Sequence, residues 1–288
     1  MNCKTVKQFF KLFPNDKVCL DHIMQVTYGK QSECPKCKKQ TKFHRVTSQR
    51  AYVCQLCGHH VYPCVGTPFH KSKTSLQSWF YAIYLFTTTR NGVSAKELQR
   101  QLGVTYKTAW RMGHEIRKYM AKVDGEDTLS GIVEIDETMV GGYRKGKRGR
   151  GADGKTVVFG MMEKSGDVMT HVVPNVKSKT LKPIIEEHIE KGSEIQTDEL
   201  RSYNGLDKQG YTHNTVNHGD KQYVDGDTHV NSIEGFWGHM KKGIASTHVH
   251  VSGKHLGKYA KEFEFRYNSR NNPEQMFPDL LNSFDKPS

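Results

Sequence analysis

The chain has 288 residues, enough for two or three domains including one with a sizeable core. Its 43 Lys and Arg against 30 Asp and Glu leave a formal charge of +13, which favours a polyanionic partner such as nucleic acid over an acidic one. No apolar run approaches membrane-spanning length, and MNCKTVKQFFKLF lacks the small-residue cleavage site of a secretory signal, so no membrane partner and an intracellular location are expected. Seven cysteines fit that compartment: four pair as CxxC units, and Cys3, Cys19 and Cys64 read as reduced thiols.

Residues 1–28 form a short amphipathic helical segment, with Phe9, Phe10, Leu12 and Phe13 near one face. Residues 29–68 contain Cys34-x-x-Cys37 and, sixteen residues later, Cys54-x-x-Cys57. Two such knuckles offer four thiolates to one tetrahedral Zn²⁺, with short strands between them. Four sulfur ligands leave no position for substrate, so the zinc is structural. A redox CxxC needs only one pair.

Residues 69–124 read as helices. Trp79, Ile83 and Phe86 recur at helical spacing, and Ser94 is placed to cap the segment AKELQRQL. Gly103 to Thr105 supplies a turn, and a second helix follows from Tyr106 to Met120, as in a helix-turn-helix. Its candidate DNA contacts are Tyr106, Lys107 and Arg111, with Arg117 and Lys118 further along. A helical hairpin that only packs a core is the competing reading.

From residue 125 to 288 the pattern changes to an α/β one. Val133 and Ile135 alternate with Glu134 and Asp136, the mark of a strand with one buried face. Lys155–Met162 and Val168–Val173 give two more strands, Ser178–Lys191 a helix, Glu194–Thr197 a fourth strand, and Thr215–Asn217 a short fifth. Two further helices follow. The order β-β-β-α-β-α-β-α describes an RNase H-like fold, a mixed five-stranded sheet with flanking helices, in which the first-strand and fourth-strand acids lie side by side. Between the first two strands, Arg144, Lys145, Lys147, Arg148 and Arg150 make a Gly-rich basic loop suited to phosphate-backbone contact. A solvated loop is the alternative.

Three acids carry the chemistry: Asp136, Asp198 and Glu234, with thirty-five residues between the last two. With 30 acids in 288 positions, chance alone places an acid at a given spacing about one time in ten, so placement matters more than the interval. Each Asp lies at or near a strand end, and Glu234 lies on a helix. At about 100° per residue, Ile233, Phe236, Trp237, Met240 and Ile244 face the core. Asn231, Glu234 and Lys241 fall on the adjoining arc. Three carboxylates suit a pair of Mg²⁺ or Mn²⁺ ions roughly 3.5–4 Å apart, the arrangement that activates an oxygen nucleophile and relieves charge on a leaving phosphate oxygen. Asn231, His229 and Lys241 are auxiliary candidates, Lys241 as a phosphate contact. Glu137 and Glu199 point to the opposite face of their strands, and Glu134 shares the face of Asp136 as an outer group.

These motifs, taken in order, resemble the zinc-ribbon DDE transposases of bacterial insertion sequences (the ISXO type, related to the eukaryotic Merlin elements). The resemblance runs through the two CxxC units, Gly66 to Phe69, Ser94 to Trp110, Val133 to Thr138, Thr197-Asp198 with Tyr203, His229 to Trp237 with Lys241, and Glu262 to Arg270. It implies an enzyme that binds terminal inverted repeats in double-stranded DNA, hydrolyses the 3′ ends and joins them to target DNA, acting as a homo-oligomer. It also implies a nucleoid-associated cytoplasmic protein, or a nuclear one in a eukaryotic host. Some relatives carry Asn at the third acidic position, so Asn231, one turn before Glu234, is held as an auxiliary. A non-catalytic DNA-binding regulator of transposase descent and an RNase H-type nuclease are the alternatives.

Overall fold

Side-chain caps set the starts of the N-terminal helices. In the computed structural model, which describes residues 3–29, 32–125, 127–141, 155–216 and 230–284, Thr5 and Gln8 bond reciprocally at the start of α1 (Val6–Leu12). Asn15 accepts the Val18 N–H at the start of α2 (Asp16–Tyr28). Each cap satisfies amide donors that the first helical turn leaves over. Strands β1 (Ser32–Glu33) and β2 (Gln40–Thr41) then pair antiparallel. Strands β3 (Phe43–Val46), β4 (Ala51–Cys54) and β5 (His60–Val61) make a three-stranded antiparallel sheet. Together they form the expected ribbon.

Helices α3 (Leu76–Thr88), α4 (Ala95–Leu102) and α5 (Tyr106–Asp124) follow. Ser94 caps α4 through the Glu97 N–H at 3.1 Å. Gly103 ends it at φ 63°, a left-handed conformation open to glycine without steric cost. Helix α5 runs four residues beyond its expected end at Met120.

The second half of the chain supplies β6 (Ile132–Val140), β7 (Thr156–Glu163), β8 (Val168–Val173), α6 (Ser178–His188), β9 (Glu194–Thr197), β10 (Thr212–Thr215), α7 (Asn231–Thr247), α8 (Gly253–Asn268) and α9 (Met276–Asn282). The five strands form one sheet in the order β10-β9-β6-β7-β8. The β6–β7–β8 meander is antiparallel, while β9 runs parallel to β6 and β10 parallel to β9. This is the expected mixed sheet. The last strand falls at Thr212–Thr215 rather than Thr215–Asn217, and α6 stops at His188 because Ile189 bridges to Leu129.

Contacts divide the chain into two units, Met1–Tyr119 with Asn272–Ser288, and Met120–Asn271. The first unit is centred on aromatic residues including Phe9, Phe69, Trp79 and Phe80. Helix α9 belongs to it, whereas the sequence assigned all residues after 124 to the catalytic region. The reason is apolar: Phe277, Leu280 and Leu281 are buried, the Phe277 ring lies 6.2 Å from that of Phe9, and the Tyr119 hydroxyl donates to the Leu280 carbonyl at 2.9 Å.

In the second unit, both sheet faces are covered. Val133 and Ile135 pack with Leu181, Ile185 and Tyr203 on the α6 side. Val158 and Met162 pack with Ile233, Trp237 and Phe263 on the side of α7 and α8. Among the described residues, no helix is long and apolar enough to cross a membrane. Leu280→Ala, at a fully buried position, is expected to destabilise the first unit by about 2–5 kcal/mol, measured by denaturant unfolding.

Candidate active site and metal centre

The parallel register of β6 and β9 ends with Ile135 opposite Thr197, so the next residues on the two strands are Asp136 and Asp198. Asp136 stands on the sheet face that α7 covers, since side chains alternate along a strand and Val133 and Ile135 enter the opposite core. Its Oδ2 accepts the indole N–H of Trp237 at 3.1 Å. Asp198 lies just past the strand end, and its Oδ1 accepts the Leu200 N–H at 2.9 Å, which fixes the turn leaving the sheet. Glu234 is exposed in the first turn of α7.

Charge ties the three acids together. Burial, followed by the nearby Glu137, Asp198 and Glu234 carboxylates, pushes the Asp136 carboxyl up to about 7. Both effects disfavour its charged form. Lys241 also feels this site. Partial burial draws its ammonium below the ordinary lysine value, Asp136 opposes that shift, and Lys155 adds to it. Lys241 borders a cavity of about 230 Å³ lined mainly by apolar residues including Met139, Val140 and Ile244. Asn231, at the first position of α7, is exposed.

The neighbouring acids behave differently. Glu137 accepts the hydroxyl of buried Tyr203 at 2.8 Å on the opposite face of the sheet. Glu199 is exposed. Glu134 is 0% exposed, and its Oε2 accepts the N–H groups of Ser232 and Ile233, both at 3.0 Å. Sequence spacing placed Glu134 on the face of Asp136 but did not reveal this bond to α7. Nor did it reveal that Trp237, read only as a core residue, holds Asp136. His229 lies outside the described residues, as do Arg144, Lys145, Lys147, Arg148 and Arg150.

The cysteine site is built from two equivalent loops. The Lys38 N–H donates to the Cys34 carbonyl at 2.9 Å, and the Gly58 N–H to the Cys54 carbonyl at 3.0 Å. Lys38 and Gly58 both have left-handed backbones, at φ 57° and 70°. Each loop thereby turns its two sulfurs inward. The four sulfurs of Cys34, Cys37, Cys54 and Cys57 all lie within 4.8 Å of one another, a set that could hold one metal ion and that suits a structural zinc. Among the described residues no other group of three or more such ligand atoms is as close, so the three carboxylates are spaced more widely. Cys3, Cys19 and Cys64 are buried free thiols, and burial pushes Cys64 up to about 11.

On the helix-turn-helix, Tyr106 is 47% exposed, and Lys107, Arg111 and Lys118 are exposed as well. The Lys96 ammonium sits 5.1 Å from the Tyr106 ring centre, and Arg111 bonds the Ser72 hydroxyl at 3.1 Å. Arg117 is not a surface contact. It is 3% exposed, lies over the Phe86 ring and donates to the Val93 carbonyl at 3.2 Å. Trp110, 36% exposed, adds an aromatic surface that the sequence reading did not single out.

The chain is similar to known proteins along most of its length. Residues 128–268 match the ISXO2-like transposase domain, and residues 14–60 match the transposase zinc-ribbon domain. The chain is 29% identical over 279 residues to an uncharacterized protein in transposable element ISH50 of Halobacterium salinarum, covering 89% of this chain and 92% of that relative. It is 37% identical over 102 residues to an uncharacterized transposase-like protein of Haemophilus influenzae, covering 35% of this chain and 81% of that relative.

Two outcomes test the sites. Elemental analysis is expected to find one zinc per chain, with Cys37→Ser or Cys57→Ser losing it and lowering the melting midpoint of the first unit. At the acids, an Asp136 carboxyl raised in the folded state disfavours folding once pH exceeds its unfolded value. In metal-free protein, Asp136→Asn is therefore expected to raise the melting midpoint at pH 8, with the gain shrinking as pH falls through 7 towards 4.

Proposed function

This chain belongs to the ISXO2-like transposase family, and from that premise we propose that it cuts the ends of its own insertion sequence and joins them to target DNA, with Asp136, Asp198 and Glu234 as the catalytic acids. The observation that carries the reading is the β6–β9 register, which sets Asp136 beside Asp198 under the helix that bears Glu234.

The donor set fits divalent metal ions. All three candidate ligands are carboxylates, the hard oxygen donors that Mg²⁺ and Mn²⁺ take. Burial lifts Asp136 to about 7, and the neighbouring carboxylates add to the shift an excess of negative charge that a cation offsets. A bound pair of such ions would lower the pKa of an attacking water or 3′-OH and neutralise the leaving oxygen. The chain's own contribution is placement. Asp136 and Asp198 supply ligands from a rigid sheet, Glu234 supplies one from α7, and Asn231 stands one turn away on the same helix. Lys241, close enough to influence Asp136, is suited to hold a DNA phosphate next to the acids.

DNA is the substrate this charge favours. A net +13 chain attracts phosphate without regard to sequence. Tyr106, Lys107, Trp110 and Arg111 offer an exposed aromatic and basic surface on α5 for reading inverted repeats. The Cys₄ zinc holds the ribbon's fold. Action on two DNA ends as a homo-oligomer completes the reading.

The test uses labelled oligonucleotides carrying the element's ends, a plasmid target and Mg²⁺ or Mn²⁺. Wild-type protein is expected to nick the 3′ ends and join them to the plasmid. Asp136→Asn, Asp198→Asn and Glu234→Gln are each expected to lower joining by at least about a hundredfold while leaving DNA binding intact, and Asn231→Ala by less. Asp136→Asn with full joining would overturn the assignment. Cutting without joining points to a nuclease, and binding without turnover to a regulator.

A further inference from the structure

Two acids of β6 bond different turns of α7. Glu134 is fully buried, a rare position for a carboxylate without a structural task. Its Oε2 accepts the N–H groups of Ser232 and Ile233, which belong to the first turn of α7, where helical geometry leaves amide donors over. Val230, the residue before the helix, provides no side-chain cap. Glu134 takes that part from a strand almost a hundred residues earlier. One turn further on, the Trp237 indole donates to Asp136.

The two spans agree. Glu134 and Asp136 are separated by about 7 Å along the strand. Ile233 and Ser232 precede Trp237 by about 6–7.5 Å along the helix axis. Strand and helix are thus joined at two points in a single register. A one-residue slip of the helix would rotate it by about 100° and break both bonds.

Gly160 makes the second bond possible. It is the cross-strand partner of Asp136 on β7, and a Cβ built there would lie 2.5 Å from the Trp237 ring. The indole therefore rests directly over the β7 backbone, and any larger residue at 160 would move it away from Asp136.

We propose that Trp237 is a positioning residue for the transposition reaction: its indole N–H holds the Asp136 carboxylate in one orientation, while Glu134 fixes the register of α7 that presents Glu234 to it. The indole occupies one direction at Oδ2, and the Glu137 backbone N–H also bonds the carboxyl. Bonds of this kind to a ligating carboxylate set its orientation and its affinity for metal. The proposal rests on the reading of Asp136 as a metal-binding acid.

The experiment is a Mn²⁺ titration of the full, zinc-loaded chain, with free Mn²⁺ followed by electron paramagnetic resonance and strand joining assayed in parallel. Trp237→Phe keeps most of the ring and removes the donor. It is expected to raise the half-saturating Mn²⁺ concentration about tenfold, with joining restored towards the wild-type rate at saturating Mn²⁺. Gly160→Ala keeps the donor but displaces it, and is expected to give a rise in the same direction. Glu134→Gln, which retains an acceptor oxygen, is expected to lie closer to wild type than Glu134→Ala.

A purely structural role predicts something different: slower joining at every Mn²⁺ concentration, in step with a lowered melting midpoint. Half-saturation unchanged within about twofold in folded Trp237→Phe overturns the proposal. If that variant does not fold, Gly160→Ala with unchanged half-saturation does so. A wild-type chain with no Mn²⁺ site sensitive to Asp136→Asn overturns the metal reading first and this proposal with it.

Discussion

The candidate site depends on the parallel pairing of β6 with β9. Both strands are central in the sheet, with apolar residues packed above and below, and their pairing brings Asp136 and Asp198 together from positions sixty-two residues apart. Register here is unforgiving. A slip of one residue would turn Asp136 into the core that holds Val133 and Ile135, and turn Ile135 outwards towards α7. The hydrophobic faces therefore enforce the placement of the acids, although no acid contributes to the hydrophobic energy.

That enforcement carries an electrostatic cost. The sheet holds Asp136 partly buried near three other carboxylates, and its proton is retained to about pH 7. Left to solvent, such groups would separate. They remain close because the strand, the turn after Asp198 and the α7 contacts are each fixed by bonds independent of the acids' mutual repulsion. A site strained by like charge in the absence of metal is one whose metal affinity is raised by relief of that strain.

The sequence disclosed those features that repeat locally. The alternation Val133-Glu134-Ile135-Asp136 fixed both the strand and the face of its acid, and the helical phase of Ile233, Phe236 and Trp237 located the buried side of α7 correctly. The cysteine spacing located the four-sulfur cluster because each CxxC loop is a self-contained turn. Features that depend on distant partners were not legible. Strand β10, Thr-His-Asn-Thr, has no apolar alternation and is a strand only because it pairs with β9. Arg117 has the charge of a surface cation, but its helix face packs on Phe86. The bonds of Glu134 and Trp237 span about a hundred residues of sequence, and neither residue type announces such a partner.

The contrast between the whole chain and its acidic site bears on how substrate is met. A net charge of +13 favours a polyanionic partner, yet phosphate would be repelled where the three acids gather. Lys241 lies close enough to Asp136 for that acid to favour its charged form. Lys241 also lines the largely apolar cavity beside Met139 and Ile244. On the proposed metal reading, divalent cations would reverse the sign of the local field, so that a site repelling the backbone without metal would draw it in with metal. On the proposed reading, general attraction would bring DNA to the protein, and metal occupancy would decide whether a phosphate settles between the acids and Lys241.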